Sequence, residues 1–582
     1  ELDPTTGDNK EKKVPDYEKI KKFQMKIKSI KSEWNKWIVT NDKVRSYLED
    51  TYHEKFNSEV IRDYDGSILD FSDMAHYNPR ITQKNGVLKF TTELGGIGDH
   101  KTGAGKTLIM VMNAVRAKRL GLVKKPMIIG LKANTSAIIA DFQKAYPGSK
   151  VLGPSETDFR PEKRKELLAK IMTNDWDCVV LTHDQFGMIP QDPEFERSIL
   201  EEQIQALESD LYILSEDKTI TKRQLKGLEK RKLNLEARVK EITYSMSKDH
   251  DVVNFKEMGV DFLQVDEAHE FKNLMFTTRS TNVSGLGNPQ GSKKALNLLV
   301  ACRTIQSHWG ADKGIALFTA TPLANSIVEM YTWYNYLQPE MLKSRNINSF
   351  DAWASMYAEK SSEFEFSVTG EIKLKERFRE FVKVPELVRD YHKMAHVVTK
   401  RDLDVNEPDL ENILVDIDPT PDQIDYNNRL IQFANSQGRD GHLINKSLSD
   451  SSQLAYMLVA TNEARKMSTD IRLVEPDADY SEQSKLGHGS KQIAEIYREF
   501  NEHKGTQFVF CDIATPGSKT SSINFYQELK DLLVNDHGIP EEEIQFIHHF
   551  KTRKKRQELL NDFNKGVVRI CIGSTSKMGV GV

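Results

Sequence analysis

Apolar residues recur along this chain in distinct rhythms. From Tyr17 to about Phe56 they fall at Ile20, Phe23, Ile27, Ile30 and Trp34, the spacing of one helix face in a lysine-rich background. From about Gly86 to Leu337, short β-rich runs alternate with helical stretches. The runs are MIIGL (127–131), CVVLT (178–182), FLQVD (262–266) and IALFT (315–319). Such alternation predicts a parallel sheet covered by helices on both faces. Another rhythm interrupts this lobe. Leu200, Ile204, Leu207, Leu211 and Leu214 are spaced four, three, four, three; Leu225, Leu228, Leu235, Val239 and Ile242 resume the rhythm, with Lys232 in one seam position. This heptad pattern predicts an inserted antiparallel coiled-coil hairpin within 195–245. Its first arm is acidic (Glu201, Glu202, Glu208, Asp210) and its second basic (Lys222, Arg223, Lys226, Lys230, Arg231), so the charges are expected to pair the arms.

Residues 345–480 read as mainly helical, and from Lys485 a second α/β pattern begins. It carries strand candidates at 506–512, 544–549 and 567–573, separated by helices. The expected organisation is a disordered start (1–16), a helical N-terminal region (17–85), a first lobe (86–344), a helical inter-lobe region (345–480) and a second lobe (481–582). At 582 residues the chain has room for two to four cores. Against 86 acidic side chains stand 82 basic ones, so a polyanionic partner must meet a local positive field rather than a global one. Four cysteines without CxxC spacing (Cys178, Cys302, Cys511, Cys571) read as buried thiols of a reducing compartment, neither metal site nor disulfide framework. No apolar run approaches a membrane span, and the polar start lacks a signal peptide's core; the expected location is cytoplasmic.

Three motifs carry chemistry. In Gly103-Ala104-Gly105-Lys106-Thr107, small residues let backbone N–H groups close around a phosphate. Lys106 would reach the β/γ-phosphates of ATP, and the Thr107 hydroxyl would bind Mg²⁺. The strict pattern wants glycine where this chain has His100. In FLQVDEAHE, Asp266 and Glu267 end an apolar run, where Asp266 would hold the Mg²⁺ shell and Glu267 would orient and deprotonate water. Thr319-Ala320-Thr321-Pro322 follows a third apolar run, and its hydroxyls would couple the acidic motif to the rest of the lobe.

GAGKT, DEAHEFKN (266–273) and FTATPLANS (318–326) together resemble the Swi/Snf-like branch of the second helicase superfamily. TPDQIDYNNRL, ARKMSTDIRLV, TQFVFCD and GSTSKMGVG continue the family's order. The resemblance implies two RecA-like P-loop NTPase lobes, an adenine-reading Gln83, and His269 as a coupling residue with Thr319 and Thr321. It implies DNA contacts, mainly to phosphates, at Lys132, Ser136, Thr182, His183, Ser574 and Thr575, with added field from the basic cluster 551–556. More narrowly, YDGSILDF, YLQPEML and FDAWASMYAE resemble the helicase segment of large phage and mobile-element proteins, in which such a motor adjoins an adenine methyltransferase of defence-against-restriction type. The implied activity is ATP-driven translocation on duplex DNA; the alternative is a nucleotide-gated DNA-binding or scaffolding module without productive turnover. The hairpin, on this view, either pairs only with itself or touches DNA or another domain. Two departures from the family stand out. Gly98-Asp99-His100-Lys101 replaces its apolar-plus-acidic lead into the phosphate loop, so the strand edge there is expected to be distorted, and its arginine-bearing last motif would lie beyond Val582, leaving the second lobe incomplete.

Overall fold

A computed structural model describes residues 17–56, 61–155, 157–215, 222–246, 253–280, 283–324, 326–366, 372–403, 410–444, 455–517, 523–550 and 552–579. The expectation of disorder over 1–16, and Lys551 of the basic cluster, lie outside the described residues, as do the side chains of Arg553 and Lys554. The chain divides into two units. The smaller comprises 1–65 and 383–395 and contains α1 (Tyr17–Thr40), α2 (Asp42–Phe56) and the helix Val384–Met394. On α1 the side chains of Ile30, Trp34 and Trp37 are exposed, and the two indoles lie 5.1 Å apart.

The larger unit comprises 66–382 and 396–582. Its strands include β1 (Gly95–His100), β2 (Pro126–Gly130), β3 (Val151–Leu152), β4 (Cys178–Thr182), β5 (Phe262–Val265), β6 (Val283–Ser284) and β7 (Ile315–Thr319). Further along come β8 (Ala358–Phe366), β9 (Ile372–Phe381) and β10 (Ala395–Val398). Seven strands form one sheet in the order β10-β1-β7-β5-β2-β4-β3, and every neighbouring pair from β1 to β3 is parallel. The four apolar runs of the sequence are β2, β4, β5 and β7, and they are almost wholly buried, as strands covered on both faces must be. The covering helices are α3 (Ile81–Glu93), α4 (Lys106–Arg119), α5 (Thr135–Ala145), α6 (Pro161–Thr173) and α7 (His183–Gly187), followed after the insertion by α10 (Lys293–Trp309). Phe90, Ile109, Val111, Ile128, Phe142 and Phe318 share the core between sheet and helices.

The distortion expected at the lead into the phosphate loop is absent. β1 pairs with β7 in unbroken register from Gly95↔Ile315 to Asp99↔Thr319. Gly98 makes this possible, because a Cβ there would overlap the Phe318 ring. His100 turns inward and is fully buried.

The region 345–480 is less helical than its pattern suggests. β8 and β9 form an antiparallel pair joined by β6, and β10 enters the first sheet beside β1. The first sheet therefore draws on residues beyond 344. The alternating IKLKERFREF of β9 carries the period of a strand and pairs along its length with the neighbouring β8, while its other partner, the short β6, lies about ninety residues upstream, a distance no local pattern spans.

The second sheet has the order β11-β13-β12, from β11 (Gln507–Phe510), β12 (Ile544–Phe546) and β13 (Ile570–Gly573), all paired parallel. The helices Lys485–Glu499 and Phe525–Asn535 pack on it through Leu486, Tyr526 and Leu533. Before it, the helices Pro421–Asn435 and Tyr456–Thr469 meet around Tyr426, Phe433 and Ala460.

The insertion consists of α8 (Pro193–Ser215) and α9 (Lys222–Met246), which pack against each other. Leu200, Leu207 and Leu214, seven residues apart, are buried. Ion pairs link Glu208 to Lys232 at 2.7 Å and Glu196 to Arg238 at 2.5 Å. Early residues of one helix thus meet late residues of the other, so the two run antiparallel. Arg231 and Asp210 depart from simple pairing between arms: Arg231 donates to the Phe276 carbonyl at 2.8 Å, and Asp210 faces Arg279 at 3.8 Å. The hairpin is therefore anchored to the lobe as well as to itself.

All four cysteines are free thiols, and no helix among the described residues is long and apolar enough to cross a membrane.

Candidate functional site

The sheet order explains why three distant motifs meet. β1, β7 and β5 are neighbours, so the phosphate loop after β1, Thr319 at the end of β7 and Asp266 just after β5 emerge along one carboxyl edge. The loop turns through two left-handed glycines, Gly103 at φ +87° and Gly105 at φ +77°. Ala104, buried between them, closes a turn by donating its N–H to the Lys101 carbonyl at 3.1 Å. α4 begins at Lys106, so the first amides of that helix have no intrahelical acceptor and its positive end faces the loop. The Lys106 ammonium rests on the His100 carbonyl at 3.2 Å.

Gln83 lies against this loop. Its amide oxygen accepts from the Arg80 N–H at 2.9 Å and its nitrogen donates to the Gly105 carbonyl at 3.4 Å. A Cβ on Gly105 would displace that amide, and the positive φ itself favours glycine there.

Asp266 is held by its own N–H, which donates to the Ile129 carbonyl at 2.8 Å, and by Asn134, whose amide donates to the carboxylate at 3.3 Å. Burial, and then the neighbouring Glu267, push its carboxyl above the usual range, while Asn134 and Lys106 oppose the shift. Glu267 is the reverse case. A hydrogen bond from His269 holds it below the usual range, and Lys106 adds to the effect. The two adjacent carboxyls are thus shifted in opposite directions. Glu267 adopts φ +49°, a strained conformation for a residue with a Cβ. His269 Nδ1 stands 3.2 Å from both the Glu267 carboxylate and the Thr319 hydroxyl, and Thr319 in turn accepts the Thr321 N–H at 3.1 Å. The acidic and coupling motifs are joined by side chains in contact.

The residues expected at DNA separate into groups. Lys132 is exposed and Ser136 half-buried beyond the end of β2; Thr182 ends the adjacent β4. Thr182 uses its hydroxyl to cap α7, accepting from the Gln185 N–H at 3.0 Å. His183 does not share that surface. It is buried, donates from Nε2 to the Asp266 carbonyl at 2.9 Å and packs edge-on against Phe271. It serves as a prop under the acidic motif, because a ring closed in on that side has no face left for a phosphate. Ser574 is likewise buried, beside His548 and Ser576, while Thr575 donates its hydroxyl to Asp512 at 2.8 Å.

Sequence reasoning passed over several residues of the site. Asn134, the residue just before α5, reaches Asp266, and an asparagine at a helix start was its one signal in the sequence. Asn113 and Gln264 form a buried chain with Thr91, Thr91 hydroxyl to Asn113 at 3.0 Å and Asn113 to Gln264 at 3.1 Å, fixing α3 to α4 and β5. His396 of β10 shares a 2.7 Å hydrogen bond with His100.

Burial lowers the pKa of His396 and of His183 to about 4 and holds that of His100 well below its ordinary value, so all three are neutral in the fold at neutral pH. In the unfolded chain they titrate near 6.5. The unfolded state therefore binds more protons as pH falls from about 6.5 towards 4, and stability declines over that window. Glu267, held low, contributes in the same direction at lower pH, and Asp266, pushed up, opposes it. The thermal midpoint is expected to be clearly lower at pH 5 than at pH 7.5, with His396→Gln flattening part of the difference. A midpoint independent of pH across this range would contradict the burial of these rings.

The residues suit a nucleotide with Mg²⁺. A Cβ at Gly103 would meet nothing within 4 Å, the helix amides and Lys106 face the loop, and Thr107 and Asp266 supply hard oxygen ligands of the kind Mg²⁺ takes. No curated protein matches the chain. Solved structures that resemble it include the Sulfolobus solfataricus SWI2/SNF2 ATPase core in complex with dsDNA, at 12% identity and TM-score 0.32 over 87% of this chain and 80% of that one. The same organism's SWI2/SNF2 ATPase core domain matches at 13% identity and TM-score 0.32 over 89% and 81%. Residues 2–58, which include α1 and α2, match a family described as a domain of unknown function (DUF8437). A second family model, described as a probable helicase domain, matches residues 88–399, taking in the phosphate loop, the acidic motif, the coupling motif and β10. With more than half of its length matched, the chain belongs to this probable helicase domain family.

Proposed function

We propose that the chain is an ATP-driven DNA motor that translocates along duplex DNA. The observation that carries this is the meeting of Lys106, Asp266, Glu267 and the His269–Thr319 contact along one edge of the sheet. Lys106 and the first amides of α4 would neutralise and orient the phosphates; Thr107 and Asp266 would hold Mg²⁺. Bound Mg²⁺ supplies charge neutralisation at the phosphates under attack. Glu267, ionised at neutral pH, would orient a water and take its proton. His269, touching both Glu267 and Thr319, would pass the state of the site to the chain that follows β7 and onward. Gln83, already bonded to the loop at Gly105, would read the adenine edge with its remaining donor and acceptor. Lys132, Ser136, Thr182 and Thr575, at or just beyond the carboxyl ends of strands in the two sheets, are proposed to touch backbone phosphates, which would fix the path of DNA without reading its sequence. The resemblance to phage and mobile-element proteins supports reading this motor as part of a larger DNA-modification or anti-restriction protein that also carries a methyltransferase.

The test is phosphate release with and without duplex DNA. DNA is expected to stimulate it, and affinity should fall linearly on a log–log plot against salt. Binding of ATP without DNA-stimulated release would favour the scaffolding alternative, and salt-insensitive or strongly sequence-selective binding would contradict phosphate contacts.

A further inference from the structure

Glycines give the phosphate loop its shape but do not hold it there. With no Cβ, Gly103 and Gly105 leave the φ +87° and +77° region as readily as they enter it. An anion site gains affinity when its amides are aimed before the ligand arrives, so something outside the loop must fix it. Within the loop, the Ala104 N–H closes one turn onto the Lys101 carbonyl at 3.1 Å. From outside, the Arg80 guanidinium donates from Nη2 to the Gly103 carbonyl at 2.7 Å, the short distance of a charge-assisted bond.

Arg80 is well placed to act as a strut. It is the N-cap of α3, and its own N–H is tied to the Gln83 amide oxygen at 2.9 Å. That amide's nitrogen continues to the Gly105 carbonyl at 3.4 Å. One short segment therefore grips both left-handed glycines. Its base is rigid, because α3 is bound to α4 through Thr91 and Asn113, and the following Gln264 donates to the Met110 carbonyl of α4 at 2.9 Å. Loop, strut and helix form a closed frame.

The geometry points to Arg80 as a positioning residue that holds the phosphate loop in its anion-binding shape, setting nucleotide affinity rather than turnover. This rests on the nucleotide-binding assignment above. Arg80 touches the loop from its carbonyl side, so its contact is the same before, during and after hydrolysis. Its loss should weaken ADP and ATP alike.

The experiment compares the full chain with Arg80→Ala and Arg80→Lys. Calorimetry with Mg²⁺ gives affinities for ATP and ADP, steady-state assays with DNA give kcat and KM, and melting without nucleotide reports the fold. Arg80→Ala is expected to weaken both nucleotides by roughly tenfold, the loss of one charged hydrogen bond. KM should rise in parallel and kcat stay within about twofold, as for an interaction equal in ground and transition states. Arg80→Lys should recover most of the affinity, and the melting midpoint should not move. Unchanged affinity in Arg80→Ala would overturn the proposal, as would a fall in kcat at constant KM. So would a lowered midpoint that Arg80→Lys restores without restoring affinity. If the parent itself binds neither nucleotide, the nucleotide-binding assignment fails instead, and the two failures are told apart by that first measurement.

Discussion

Lys106→Ala is expected to weaken ATP binding by roughly 10²-fold, the value of a lysine paired with phosphate oxygens in a partly enclosed site. The fold should not suffer. Lys106 donates to a single backbone carbonyl, that of His100, which keeps its place in β1 without it. Alanine is also a good first residue for α4. The melting midpoint without nucleotide should therefore stay within about 2 °C of the parent. Calorimetry decides the matter: equal ATP affinity in the variant and the parent would remove the phosphate loop from the function.

Glu267→Gln should separate binding from chemistry. Glutamine keeps the shape and one acceptor oxygen, but it loses the charge that His269 and Lys106 hold in place. A water beside it would be positioned without a group to take its proton. Hydrolysis is expected to fall about 10²–10⁴-fold, the usual contribution of a general base, while ATP affinity stays near that of the parent. The variant should accordingly accumulate as an ATP-bound state. Undiminished hydrolysis would show that another group takes the proton, and Asp266, with its raised pKa, would be the first to examine.

How legible the molecule was depended on the range of the signal. The four apolar runs could be read as buried strands because continuous burial on both faces leaves only apolar side chains tolerable. β1 escaped the same reading: three of its six residues are glycines, which carry no apolar signal, and its strand character comes from pairing with β7 from Gly95↔Ile315 to Asp99↔Thr319. β8 and β9 were submerged in a region of mixed charge, where their pairing with each other from Ala358↔Phe381 to Phe366↔Ile372, rather than an apolar run, makes them strands. The hairpin was legible in its leucines at Leu200, Leu207 and Leu214, but not in its anchorage, since Arg231 ends on the distant Phe276 carbonyl.

The site divides in the same way. The chemistry proposed for it rests on the sequence, because a phosphate cradle, a metal-binding carboxylate and a base would each require particular residue types at short spacing: Gly103 to Thr107, then Asp266 and Glu267. Only the tertiary structure decided which neighbours surround them. The parallel order β1-β7-β5 brings three motifs, spread over more than two hundred residues, to one edge. The same packing buries His183 beneath Asp266, joins His100 to His396 and sets Arg80 against the loop. Hydrogen bonds and burial act between atoms that are close in space, and sequence spacing records such closeness only within a turn or a strand.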